Sequence, residues 1–288
     1  MTTLRSPLGV NVSDWGKRLG LSADLQAALK ATFCAADAIY HELNGMGNRI
    51  DFNDKAAGKG IVTAFDELSE KVLREELSSS TSYSFLGEEG GLSESMSSSK
   101  RWVVDPIDGT TNFAFDYSFS AISIALKAEL KFILGVVYEL RTRDVFFAET
   151  GKGAYKNGEP IRVSHASRYG DQPVIFLNNG YSLASKKRAG TQLMRLAPVI
   201  GDFRKFGTTA YELACVASGR AAAFIASGDE VWDYAAAAVI VKEAGGLLTD
   251  WQGEPFEFQS SYLIASNGDA KLHRQLVEAS KDLQKNED

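Results

Sequence analysis

The chain has 288 residues, 44% hydrophobic and 24% charged, with a formal net charge of −6. That length allows one large domain or two packed subdomains around a sizeable core. An acidic balance without a basic patch argues against nucleic-acid binding, and no run of 18 apolar residues suggests a membrane span.

Residues 1–20 are mixed and polar and read as a loosely attached arm without an apolar leader core, so the expected compartment is the cytoplasm. From Ser22 the pattern is helical. Leu25, Leu29, Phe33, Ala36, Tyr40 and Leu43 recur at three- and four-residue steps, with Ser22 as N-cap and Gly45 as stop. A second helix begins near Thr63, with Leu68, Val72, Leu73 and Leu77 on one face. Serine-rich stretches at 78–84 and 93–99 read as loops. Trp102-Val103-Val104 is a short strand running into Asp105. Strands follow at 119–126, 132–138 and 145–148, and Asn157-Gly158 marks a tight hairpin.

The polar run 164–171 suggests a boundary between an α+β subdomain over 1–165 and an α/β subdomain over 166–288. Beyond it strands at 174–177, 203–206 and 221–226 alternate with helices at 184–197, 209–218 and 233–245. Strands at 247–249 and 262–265 and a helix at 268–283 complete the chain. The expected class is layered α/β. Cys34 and Cys215 read as reduced thiols in packed helices, and histidines scattered at 41, 165 and 273 give no zinc site or triad.

The strongest motif is Asp105-Pro106-Ile107-Asp108-Gly109-Thr110-Thr111-Asn112. Two carboxylates sit where a buried strand ends. Pro106 stiffens the turn and Gly109 lets a ligand approach the backbone. A helix or turn starting at Gly109-Thr110-Thr111 would aim free N–H groups outward as a phosphate cradle. Acids beside an anion cradle call for a cation between them, and hard oxygen donors favour Mg²⁺. Taken singly, the other acids are ordinary. Glu88-Glu89 reads as a solvated loop pair, Asp233 as a first-turn helix acid, and Asp66 and Lys55 as unremarkable.

Taken together they are not ordinary. Phe85-Leu86-Gly87-Glu88-Glu89, Trp102 to Phe113 around the central motif, and Trp232-Asp233-Tyr234-Ala235-Ala236 with Glu243-Ala244-Gly245-Gly246 resemble the inositol monophosphatase family. The resemblance spans roughly residues 30 to 268. It implies a layered αβαβα sandwich of the sugar-phosphatase type, a homodimer, lithium sensitivity and Mg²⁺-dependent hydrolysis of a small phosphorylated metabolite. Glu88, Asp105 and the Ile107 carbonyl would hold one Mg²⁺, and Asp105, Asp108 and Asp233 a second. A third, looser metal would lean on Glu88. Thr110 and Asp66 would orient the attacking water. The Gly109 and Thr110 amides would hold phosphate, with Asp108, Asp233, Gly207 and Thr208 also facing substrate. Lys55 matches a lysine on a loop that closes over the site in some members.

Two departures bear on the substrate. Ala226 stands where inositol-specific members carry a glutamate that binds substrate hydroxyls, leaving Asp229 or Glu230 as nearby replacements. Gly60 stands where relatives often carry an acid, which weakens a helper metal on the Lys55 loop. The substrate therefore stays open among inositol monophosphate, other sugar or polyol phosphates, histidinol phosphate, fructose-1,6-bisphosphate and 3′-phosphoadenosine phosphates. A non-catalytic metal-binding interaction protein is the rival from another class. A phospho-aspartyl route of the haloacid dehalogenase type is disfavoured, because Pro106 occupies the nucleophile position.

Overall fold

A computed structural model of the protein describes residues 12–45, 50–55, 60–164, 172–256 and 260–285. The first layer is helical. α1 (Val12–Leu19) packs on α2 (Ala23–Gly45), which lies along α3 (Ala64–Ser80). Where sequence suggests a loose arm over 1–20, residues 12–19 form a helix, and residues 1–11 lie outside the described residues. Trp15 is the reason. It is 3% exposed, and its ring stacks on Phe147 at 5.4 Å. Val12 is buried in the same core, and Arg18 donates to the Gly158 carbonyl at 2.7 Å, so a mostly polar octapeptide is docked by a few contacts. α2 begins as its sequence suggests, with the Ser22 hydroxyl accepting the Leu25 N–H at 3.1 Å. A two-stranded ribbon, β1 (Phe52–Asp54) with β2 (Ile61–Thr63), leads into α3.

The second layer is an eight-stranded sheet. Its strands are β3 (Ser84–Gly87), β4 (Gly91–Ser93), β5 (Lys100–Asp108), β6 (Ala121–Ala128), β7 (Lys131–Glu139), β8 (Val145–Glu149), β9 (Ala154–Lys156) and β10 (Glu159–Ile161). The order is β10-β9-β8-β7-β6-β5-β3-β4. β3 and β5 are its one parallel pair, with Gly87 opposite Val104, so their carboxyl ends lie side by side. A short helix, α4 (Thr110–Ala114), follows β5 directly. The β9–β10 hairpin turns at Asn157 and Gly158, with φ of 54° and 81°, the geometry that Asn-Gly favours.

A second sheet follows, made of β11 (Val174–Leu177), β12 (Asp202–Arg204), β13 (Ala223–Ile225), β14 (Leu247–Thr249) and β15 (Ile264–Ser266), in the order β12-β11-β13-β15-β14. Helices α5 (Leu183–Leu196), α6 (Thr209–Ala217), α7 (Val231–Glu243) and α8 (Ala270–Ser280) alternate with these strands. α6 and α7 fill the space between the two sheets, while α5 and α8 pack together on the outer side of the second. The result is the expected αβαβα sandwich. From Tyr234 to Val241, α7 is apolar and buried on every side, as a helix between two sheets must be. Its alanines permit close approach. A Cβ placed on Gly135 of β7 would lie 2.1 Å from the Ala236 carbonyl.

Candidate active site

The parallel β3–β5 pair brings two acidic segments together. The ladder runs one bond past β3, from Glu88 N–H to the Val104 carbonyl at 3.2 Å. Glu70 of α3, buried at 5% exposure, then shapes the turn. Its carboxylate accepts the Glu89 and Gly90 N–H groups at 2.9 and 3.0 Å. β5 loses register with β6 between Asp105 and Asp108, and such a bulge re-aims side chains next to functional sites. Asp105 Oδ1 accepts the Ile107 N–H at 3.0 Å, and Ser69 pins the Pro106 carbonyl at 2.9 Å. Gly109 has φ of 86°, and a Cβ there would meet Thr208 Oγ1 at 2.6 Å. Only glycine suits both demands.

Asp66 is the third residue of α3. Its Oδ2 accepts the Thr63 N–H at 2.8 Å and its Oδ1 the Thr110 hydroxyl at 2.9 Å. That hydroxyl also lies 3.0 Å from the Ile107 carbonyl. Across the site, the Ala210 N–H donates to Asp108 Oδ2 at 2.6 Å, and the Glu230 N–H to Asp233 Oδ2 at 2.8 Å. Two residues to which the sequence assigns no role hold the 206–208 turn in place. Asn112 Nδ2 donates to the Phe119 and Phe206 carbonyls at 2.8 and 2.6 Å. Glu212 Oε1 accepts the Phe206 and Gly207 N–H groups. Asn112 was already visible as the last letter of the central motif. Glu212 had no sequence signal beyond an acid inside an apolar helix.

A cavity of about 60 Å³ brings together Glu88, Asp105, Ile107, Asp108, Gly109, Thr110, Gly207, Asp233 and Lys55, with Tyr181 beside them. That is room for roughly two waters, or a phosphate-sized group. Asp66 and Thr208 are not on its wall. They stand behind it, bonded to Thr110 and to the Phe119 carbonyl. The acids crowd one another. Burial, then Glu88 and Asp108, holds the Asp105 carboxyl well above the usual range. Burial also raises Asp108 well above it, against the Ala210 N–H, and burial with Asp229 and Asp108 does the same for Asp233. Burial pulls the Lys55 ammonium down, but Glu88 and Glu89, at 2.5 and 2.6 Å, raise it on balance. As placed, these acids spend oxygens on backbone N–H groups and on Lys55. Among the described residues, no three His, Cys, Asp or Glu side chains are arranged around one ion.

The thiols take no part. Burial raises both Cys34 and Cys215 to about 11, and His273 is bonded to Thr249 and Ser266 in the second sheet's core. His165 lies outside the described residues. Among the described residues no helix is long and apolar enough to cross a membrane.

A family model described as the inositol monophosphatase family matches residues 20–285. Inositol monophosphatase 1 of Homo sapiens is 34% identical over 252 residues, covering 83% of this chain and 86% of the relative. Inositol-1-monophosphatase of Caulobacter vibrioides is 37% identical over 231 residues, covering 78% and 88%. Among solved structures, the extragenic suppressor protein SuhB of Bartonella henselae superposes with a TM-score of 0.82 at 32% identity, covering 92% of this chain and all of that one. The class is therefore that of a phosphoric monoester hydrolase. Within that class, the chain belongs to the inositol monophosphatase family.

Proposed function

We propose that the protein hydrolyses the phosphate monoester of a small polyol, an inositol monophosphate or a related sugar or polyol phosphate, with Mg²⁺ in the acid-lined cavity. The observation that carries this reading is the meeting of Glu88, Asp105, Asp108 and Asp233 with the Gly109–Thr110 turn in one small cavity. The donor set suits Mg²⁺. Burial first, and neighbouring carboxylates second, raise the pKa values of these four hard acids, and Lys55 is the one cationic side chain on the described wall. Glu88, Asp105, Asp108, Asp233 and the Ile107 carbonyl would hold the metal. Bound there, Mg²⁺ neutralises phosphate charge and acidifies water.

The rest is the work of side chains and backbone. The N–H groups at the start of α4 hold phosphate oxygens. Asp66 accepts a hydrogen bond from the Thr110 hydroxyl, which turns a Thr110 lone pair outward to orient a water. Thr208 and Asn112 keep the Gly207 turn against that cradle. No thiol or imidazole is needed as a nucleophile. A covalent phospho-aspartate trapped on Asp105 would refute the route.

The deciding experiment is a phosphate-release screen over inositol, sugar, histidinol and nucleotide phosphates, with and without Mg²⁺. Mg²⁺-dependent release from a polyol phosphate is expected. Silence across the panel would favour a non-catalytic binding protein instead. The same reading makes the protein a cytoplasmic homodimer, and sedimentation at the mass of a single chain would count against the dimer.

A further inference from the structure

At the other end of α4 from the phosphate cradle lies a second cavity, of about 510 Å³. It opens between the C-terminal end of α2, the turn from β7 to β8 and the chain that follows α4. It shares no wall residue with the acid-lined cavity. Its volume suits a whole small molecule, where the catalytic cavity holds only a phosphate-sized group. The walls are of two kinds. Leu43, Ile50, Phe113 and Leu140 supply apolar surface, and Phe113 and Leu140 are buried. Arg141 and Arg143 supply positive charge, against Asp116 alone. The cavity is therefore cationic in a chain whose net charge is −6.

Neither guanidinium is held tightly by a carboxylate. Arg141 Nη1 stands 3.6 Å from Asp116 Oδ1, and both side chains are exposed, so the pair contributes little. Arg143 makes no ion pair among the described residues, and Asp37 feels its charge without bonding to it. Its guanidinium lies instead over the Tyr40 ring, 4.5 Å from the ring centre. That ring is fixed in turn, because the Tyr40 hydroxyl donates to the Leu140 carbonyl at 2.5 Å. The backbone here is unusual as well. Asp116 and Arg143 have φ of 53° and 61°, and Phe119, beside the wall residue Ser120, has 76°. Non-glycine residues hold that conformation only where their surroundings enforce it, and such positions gather at ligand clamps.

α4 joins the two cavities. Thr110 at its start lines the catalytic one, and Phe113 and Ala114 at its end line the other. The Phe113 ring meets Phe65 edge-on at 5.2 Å, and Phe65 immediately precedes Asp66, which holds the Thr110 hydroxyl. A molecule seated against Phe113 thus bears on both partners of that bond. We propose that this cavity is a second ligand site, for a small aromatic carboxylate, and that its occupancy is felt at the phosphate cradle through α4. The ring of the ligand packs among Leu43, Phe113 and Leu140, and its carboxylate meets Arg141 and Arg143. The site lies beyond the phosphatase reading, and binding to it does not depend on that reading.

The probe is 2-naphthoate, titrated calorimetrically into the wild-type chain, with 2-naphthalenemethanol as its neutral counterpart. One saturable site per chain is expected, with the neutral compound at least about fivefold weaker. Arg141→Gln and Arg143→Asn should each weaken naphthoate about fivefold and leave the alcohol unchanged, asparagine being tolerant of the positive φ at 143. Both side chains are exposed, so both variants should fold. No binding at millimolar naphthoate, binding that both variants leave intact, or an equal loss for both compounds overturns the site. In an active enzyme, saturating naphthoate should shift KM for inositol 1-phosphate at least about twofold, and not in the double variant. Competitive inhibition that survives in the double variant would put naphthoate on the catalytic acids and overturn the proposal. So would bound naphthoate that leaves both KM and kcat unmoved. An enzyme that releases phosphate from no substrate removes the phosphatase reading instead, and the titration alone then decides the site.

Discussion

Asp66 and Asp233 occupy the same place in the same local motif. Each is the third residue of a helix, and each side chain accepts the N–H of its own N-cap residue, Thr63 or Glu230. From there they diverge. Asp66 is fully buried and spends both oxygens, on Thr63 and on Thr110. Asp233 spends one on Glu230, and no bond to the other is seen among the described residues. A saturated carboxylate can only orient its neighbours. One with a free oxygen on a cavity wall can bind a ligand. Motif position therefore fixes where the acid sits, and its partners decide what it can do.

The comparison breaks first at Asp105, which lies among the pocket acids with no helix to cap. Asp105→Asn should lower kcat/KM about a thousandfold or more while the fold survives; near-normal turnover would undo the assignment. Asp233→Asn should raise the Mg²⁺ concentration for half-maximal activity at least about tenfold, with little change in Tm, because an amide oxygen still caps α7. A metal titration giving the wild-type midpoint would make Asp233 a capping residue only. Asp66→Ala should do the reverse. It should leave the Mg²⁺ midpoint in place, lower kcat about tenfold, and cost about 1 kcal/mol of stability in denaturant unfolding. If its Mg²⁺ midpoint moves as far as that of Asp233→Asn, the two acids do not differ as described.

The smallest effect concerns Glu212, whose carboxylate also faces backbone N–H groups but lies off the cavity wall. Burial raises it from 4.5 to about 7, against the Phe206 and Gly207 N–H groups. The folded state thus holds this proton more tightly than the unfolded chain. The resulting stabilisation is complete below about 4.5 and lost as pH rises through about 7. Metal-free Glu212→Gln should show a flatter fall in Tm across that window, and parallel curves would refute it.

Much of this site could be read from the chain. The central motif announced its strand end, its glycine and the helix turn after it, because those demands are local. Ser22, Thr63 and Asn157-Gly158 announced a helix start, another helix start and a hairpin for the same reason. What stayed hidden depends on distant partners. Trp15 docks α1 against Phe33 and against Phe147, the second more than a hundred residues later. Glu70 reads as a surface helix acid until the Glu89 and Gly90 amides fold over it. β1, β2 and β4 are three residues each and mostly exposed or half-buried, whereas the equally short β13 and β15 are fully buried and show as apolar runs.

Lys55 gives the site one more property. Its ammonium is a counter-ion joined to the chain. Its local concentration is set by tether length, not by buffer, so neither dialysis nor a chelator can remove it. Glu88 and Glu89 therefore keep a positive neighbour wherever the Lys55 ammonium stays protonated. A divalent ion approaching Glu88 Oε1 would compete with this resident cation, and its measured affinity would then be a difference between two cations, not the strength of one.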